Sequence, residues 1–127
     1  MIDKAERKRI EEEWAKYKYC IMERSYKFYK EISKSLSHSN ISYEQFIGQI
    51  NQFMSIKTDK SQILNTIYHV WGYFKKIASE EEKKQVLILI NKYKNNQCSE
   101  REIKTLLYQY ALKYNVTYLI NSYYFNK

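Results

Sequence analysis

The chain has 127 residues, a net charge of +8 and a pI near 9.3, with 44% hydrophobic, 17% aromatic and 28% charged residues. That balance fits one soluble domain and excludes a disordered chain, and the longest apolar run, residues 86–90, is far short of the ~20 residues that span a bilayer. The N-terminus carries no apolar leader, so the expected location is the cytoplasm, and Cys20 and Cys98 are too few for a disulfide framework or a tetrahedral metal site.

No proline occurs and the only glycines are Gly48 and Gly72, so the usual strand and hairpin punctuation is missing. The expected fold is all-α, a single compact domain of about five to six helices over 1–127, with 1–13 as a charged N-terminal helical extension. Apolar periodicity and capping signals place the helices near 3–37, 42–54, 59–78, 80–95, 99–114 and 116–125. The capping boxes are Ser42–Gln45, Asp59–Gln62, Ser79–Glu82 and Ser99–Glu102, each a short polar cap with Glu or Gln three residues on.

The first helix opens with charge, where Arg7/Glu11, Lys8/Glu12 and Arg9/Glu13 form i,i+4 pairs on a segment free to project or fray. From Ile10, an apolar stripe continues through Trp14, Tyr17, Ile21, Phe28, Ile32 and Leu36, opposite Lys16, Lys27, Lys30 and Lys34. That lysine side reads either as a solvated face or as an anion-facing ridge.

In the third helix, Ile63, Leu64, Ile67, Val70, Trp71, Phe74, Ile77 and Ala78 share a core arc. Asn65, His69, Gly72 and Lys76 lie nearly opposite. A mid-helix glycine costs about 1 kcal/mol relative to alanine, so its missing side chain invites either close approach by another helix or an anionic ligand beside Lys75 and Lys76. Glu80, Glu81 and Glu82 suit the first turn of the next helix, where carboxylates complement the helix dipole.

Catalytic signals are weak. His69 has no His or carboxylate at metal-ligand spacing, and no phosphate loop or nucleophile elbow is present, so no catalytic residue, cofactor or metal is assigned. Fourteen tyrosines, several beside lysines as in Tyr26-Lys-Phe-Tyr-Lys30 and Tyr73-Phe-Lys-Lys76, suit stacking on unpaired bases with cations on phosphates. An AT-rich coding bias produces the same enrichment.

The stretch Asn65-Thr-Ile-Tyr-His-Val-Trp-Gly-Tyr-Phe-Lys75, with Lys18 to Ser25 and Tyr29, resembles the YbgA-like domain family of unknown function, from Trp14 to about Asn126. Tyr17 and Arg24 stand where many members carry histidine. The family occurs alone or fused to an iron–sulfur domain that removes sulfur from thiolated uracil, and some members are encoded beside DNA photolyase. The resemblance therefore implies a non-catalytic accessory module for RNA, tRNA above all, linked to thiolated-uridine metabolism or photodamage. The expected anion-binding residues are Lys18, Arg24, Ser25, Asn65, His69, Gly72, Tyr73, Lys75 and Lys76. Two alternatives stand: a module that docks a separately encoded iron–sulfur desulfidase or repair enzyme, and an enzyme using His69 as acid or base.

Overall fold

The apolar stripe from Ile10 to Leu36 folds as two helices, not one. In the computed structural model, which describes residues 3–38 and 40–126 and only the backbone of His38 and Asn126, α1 spans Lys4–Met22 and α2 spans Tyr26–His38. Part of the predicted connector, Ser39, lies outside the described residues. The break falls where the Arg24 and Ser25 N–H groups both return to the Ile21 carbonyl, and Ser25 Oγ then accepts from the Phe28 N–H at 3.2 Å. The lysines placed on one side of a single first helix are therefore divided, Lys16 on α1 and Lys27, Lys30 and Lys34 on α2.

The remaining helices are α3 Tyr43–Met54, α4 Lys60–Trp71, α5 Glu80–Lys94, α6 Glu100–Lys113 and the single turns α7 Thr117–Ile120 and α8 Tyr123–Asn126. Eight helices and no strand occur among the described residues, more than the five to six expected because the first and last predicted helices each divide. No helix among them is long and apolar enough to cross a membrane.

The charged start of α1 does not project. Arg7 Nη2 donates to the Leu36 carbonyl at 2.7 Å, the Tyr43 N–H donates to Glu6 Oε2 at 2.8 Å, and the Arg9 guanidinium sits 3.6 Å from the Tyr43 ring centroid. Further along, Tyr19, Cys20, Ile21 and Met22 are consecutively buried. A helix buried on every side lies at the centre of a fold, and α1 serves two cores. One joins Ile10 and Ile21 to Ile32, Phe46 and Ile50 of α2 and α3; the other joins Tyr19, Cys20 and Met22 to α4, α5, α6 and the C-terminal turns.

Two helices, α5 and α6, end on asparagine in place of glycine. Asn96 (φ 58°) and Asn115 (φ 54°) adopt the left-handed conformation just after α5 and α6. The following N–H groups return to Lys92 O at 2.7 Å and Ala111 O at 2.9 Å, closing Schellman turns. The capping boxes form fully at Ser42 and Ser79; at Ser99 the N–H donates to Glu102 Oε2 at 3.0 Å. The predicted box at Asp59 is not made. Its carboxylate accepts instead from Ser61 Oγ, and Gln62 Oε1 accepts from the Tyr26 N–H at 2.8 Å, so this glutamine caps α2 across space.

Glu82 does more than complement a dipole. Its carboxylate caps Ser79 N at 2.8 Å and accepts from Lys113 Nζ at 2.8 Å and from Tyr114 Oη, tying the start of α5 to the end of α6. Lys113, Tyr114 and the Ser79 N–H together hold its pKa down to about 2. Because the folded pKa lies below the unfolded value of about 4.3, the stabilisation is complete above the unfolded pKa and is lost as pH falls through the folded one. Thermal melts between pH 5 and pH 2 should show a progressive fall in Tm, and Glu82→Gln should lower Tm near neutral pH while flattening that acid limb.

Candidate nucleic-acid interface

Helix α4 stops at Trp71, seven residues before the predicted end, and Gly72 is its C-cap in a right-handed conformation (φ −53°, ψ −27°). The Tyr73 N–H, which would reach His69 in a continued α-helix, bonds Val70 O at 3.1 Å, and the Phe74 N–H bonds Trp71 O at 2.9 Å. Such i→i+3 bonding advances each residue by about 120° rather than 100°. The drift leaves Phe74 fully buried but carries Ile77, expected in the core arc, out to 52% exposure.

Gly72 is thus not a mid-helix glycine, and among the described residues no second helix supplies any of the three atoms nearest to an added Cβ. The three atoms nearest to an added Cβ all belong to the last turn of α4, the closest being the His69 carbonyl oxygen at 3.1 Å. Alanine here would press on that carbonyl. The chain tightens immediately after Trp71, which places Tyr73 where it meets other helices.

Tyr73 Oη lies 2.9 Å from Tyr19 Oη of α1, and its ring stacks on Tyr118 of α7 with centroids 6.1 Å apart and planes 20° apart. Lys18 of α1 holds its ammonium 5.7 Å from the Tyr19 centroid and 5.8 Å from that of Tyr118. Beside this group the His69 ring meets Tyr26 at 5.7 Å, Tyr26 meets Tyr29 at 5.5 Å, and Lys30 lies 5.5 Å over Tyr26. Tyr73 and Tyr118 remain 39% and 38% exposed, so each offers ring surface to solvent. Burial, then the neighbouring Tyr73 and Tyr29, raise the Tyr118 pKa to about 12; burial and the bond to Tyr73 raise that of Tyr19 further. Both stay neutral phenols across the physiological range.

The nine residues expected from sequence do not converge as a set. Lys18, His69 and Tyr73 enter this tyrosine face, and Asn65 lies half-buried one turn before His69 on α4. Gly72, Lys75 and Lys76 are exposed on the turn that follows α4. Arg24 and Ser25 belong to the α1–α2 joint. Arg24 Nε donates to Met54 O at 3.1 Å and Nη1 to Cys20 O at 2.9 Å, so one guanidinium covers the C-terminal ends of α3 and α1.

Tyr19, Tyr26, Tyr29, Lys30 and Tyr118 join the face without having been singled out as site residues. The clustering of tyrosine and lysine along 17–30 was a signal for Tyr19, Tyr26, Tyr29 and Lys30; Tyr118 lies outside it and joins them through packing. No group of three or more His, Cys, Asp or Glu side chains among the described residues is arranged to hold a metal ion.

This arrangement of a tight Gly-Tyr-Phe-Lys turn against Lys18 and its neighbours falls inside the match to a family model described as protein of unknown function DUF1722, which covers residues 18–127. The chain belongs to that family. The YbgA-like resemblance of the sequence is consistent with this membership. No curated protein and no solved structure matches the chain. The match begins at Lys18, so it takes in every residue of the tyrosine face and leaves the charged start of α1 outside.

Proposed function

We propose that the chain is a non-catalytic RNA-binding module, with tRNA as the expected target. The observation that supports it is the solvent-reaching Tyr73–Tyr118 stack with the Lys18 ammonium beside it. Such a pair offers a π-face to an unpaired base and a cation to the adjacent phosphate. Lys75 and Lys76, exposed on the same turn as Tyr73, extend the positive charge, and the net charge of +8 favours approach of a polyanion. The link to thiolated-uridine metabolism or photodamage rests on the family resemblance alone.

Titration with bulk tRNA at low and at physiological salt tests this reading. Binding should weaken steeply as salt rises, because each phosphate contact releases counterions. Tyr73→Ala combined with Tyr118→Ala should weaken it by roughly 5- to 150-fold, the loss of about 1–3 kcal/mol for one stacked base. No binding at micromolar protein in low salt would sink the proposal.

The docking alternative draws on the exposed apolar side chains Ile77, Leu87, Ile88 and Leu112, each more than half exposed. It requires co-purification with a separately encoded iron–sulfur desulfidase or repair enzyme and little affinity for RNA.

A further inference from the structure

Helix α4 carries one exposed aromatic ring that the tyrosine face does not include. Tyr68 keeps 38% of its surface exposed, and the ammonium of Lys94, at the end of α5, stands 5.6 Å from its ring centroid. Lys60 Nζ donates to the Lys94 carbonyl at 3.3 Å, so the end of α5 is tied to the start of α4 and Lys94 is held on that side. The pairing repeats that of Lys18 with Tyr118 at 5.8 Å.

The α-helical bonding of α4 persists as far as the Gly72 N–H, which reaches Tyr68 O at 3.0 Å, so positions up to Gly72 follow the usual turn of about 100° per residue. On that wheel Asn65 and Gly72 both fall between Tyr68 and His69, Gly72 about 40° from Tyr68 and about 60° from His69. The two rings therefore flank a strip of helix surface. On one flank Tyr68 carries Lys94; on the other the exposed His69 meets Tyr26, over which Lys30 stands at 5.5 Å. The strip between them is low, because Asn65 contributes a short amide and Gly72 no side chain, and the three atoms nearest to a Cβ added at Gly72 belong to its own turn. From Asn65 to Gly72 it runs about 10 Å, the length of about three nucleotide steps at the ~3.4 Å spacing of a stacked strand.

A polyanion that carries flat rings fits a low polar strip edged on both sides by aromatic rings and ammonium groups. We infer that a single-stranded RNA segment runs along α4 over Asn65 and Gly72, with Tyr68 as a second base-stacking position and Lys94 as its phosphate partner, across the helix from Tyr73, Tyr118 and Lys18. This rests on the RNA-binding reading and extends it to a flank that the Tyr73–Tyr118 stack does not reach. A duplex does not fit the same surface: its bases are stacked on one another, whereas an unpaired strand can turn a ring face to each tyrosine. Stacking accepts every base, so the strip carries little sequence preference.

The experiment measures binding of a short unstructured RNA strand, of the same strand annealed to its complement and of bulk tRNA to the full chain and to Y68A, Y68F and K94Q, over a range of salt. The single strand should bind at least tenfold tighter than the duplex. Y68A should weaken the single strand at least fivefold and Y68F less than twofold, since the ring and not the hydroxyl makes the contact. K94Q should lower the slope of log affinity against log salt by about 0.7, the share of one phosphate on a single strand. Tyr68 and Lys94 are exposed, so all three variants should keep the parent Tm within a few degrees. Unchanged single-strand affinity in Y68A, or duplex binding as tight as single-strand binding, overturns the inference. If Y68A does not fold, K94Q decides, and an unchanged salt slope in that variant overturns it. Binding of tRNA that is lost on removing Tyr73 and Tyr118 but left intact in Y68A and K94Q would overturn the second flank and leave the RNA-binding reading standing; no binding of either tRNA or the single strand at micromolar protein in low salt would overturn both.

Discussion

Phe74→Ala should cost about 3–5 kcal/mol of stability, the range for removing a large ring from a packed core, and lower Tm by roughly 10–20 °C for a domain of this size. Phe74 is completely buried, with its ring against Trp71, Tyr110 and Tyr114 at centroid distances of 6.1–6.3 Å. It is also the residue through which the turn after α4 is anchored, since the Ile77 and Ala78 N–H groups both return to its carbonyl. The truncation therefore opens a cavity between α4 and α6 and loosens the segment that presents Tyr73. Thermal and urea unfolding give the measurement. Phe74→Leu, which keeps most of the volume, should recover more than half of the loss; equal Tm values for Phe74→Ala and the parent chain would contradict the assigned packing.

Arg24→Met is the second large effect, expected at about 2–3 kcal/mol. The aliphatic stem is retained, so the loss reports the guanidinium. Without it the carbonyls of Met54 and Cys20 lose their donor at two helix ends, and Glu23 loses a cation 3.7 Å away. A lysine cannot reach both carbonyls in the same fork, so Arg24→Lys should remain destabilised. Affinity for tRNA, measured well below the melting temperature, should stay within twofold of the parent, because the guanidinium is already committed inside the protein. A large loss of binding with unchanged Tm would return Arg24 to the interface where the sequence placed it.

Glu23 responds to pH in the opposite sense to Glu82. Burial raises its pKa, against the lowering effect of Lys104. A carboxyl with a raised folded pKa binds more protons folded than unfolded, so its cost is absent below the unfolded pKa and grows as pH rises through the folded one. The two residues therefore separate the acid response of the protein, Glu82 governing the loss below its unfolded pKa and Glu23 opposing stability above it.

Much of the architecture is legible in the sequence because it is written locally. Missing prolines and scarce glycines specify helices, the Ser42 and Ser79 boxes mark where two of them begin, and the arc of Ile63, Ile67, Val70, Trp71 and Phe74 is buried as its spacing requires. A capping box or a 3.6-residue repeat is an interaction among neighbours, so sequence order alone defines it. The tyrosine–lysine character of the face is legible for the same reason.

Three features were settled only in the folded chain. The stripe from Ile10 to Leu36 has unbroken helical periodicity, yet α1 ends at Met22 because Ser25, Gln62 and Arg24 satisfy the freed backbone groups across the joint, and Gln62 is thirty-six residues from the N–H it caps. Gly72 has the pattern of an interior glycine because Phe74 and Ala78 keep the apolar spacing going, whereas the backbone has already tightened there. Tyr19, Tyr73 and Tyr118 lie on three different elements, and Tyr68 and Lys94 on two. Their meeting depends on how the helices pack around α1, and packing is a property of the whole chain that no local window of sequence contains.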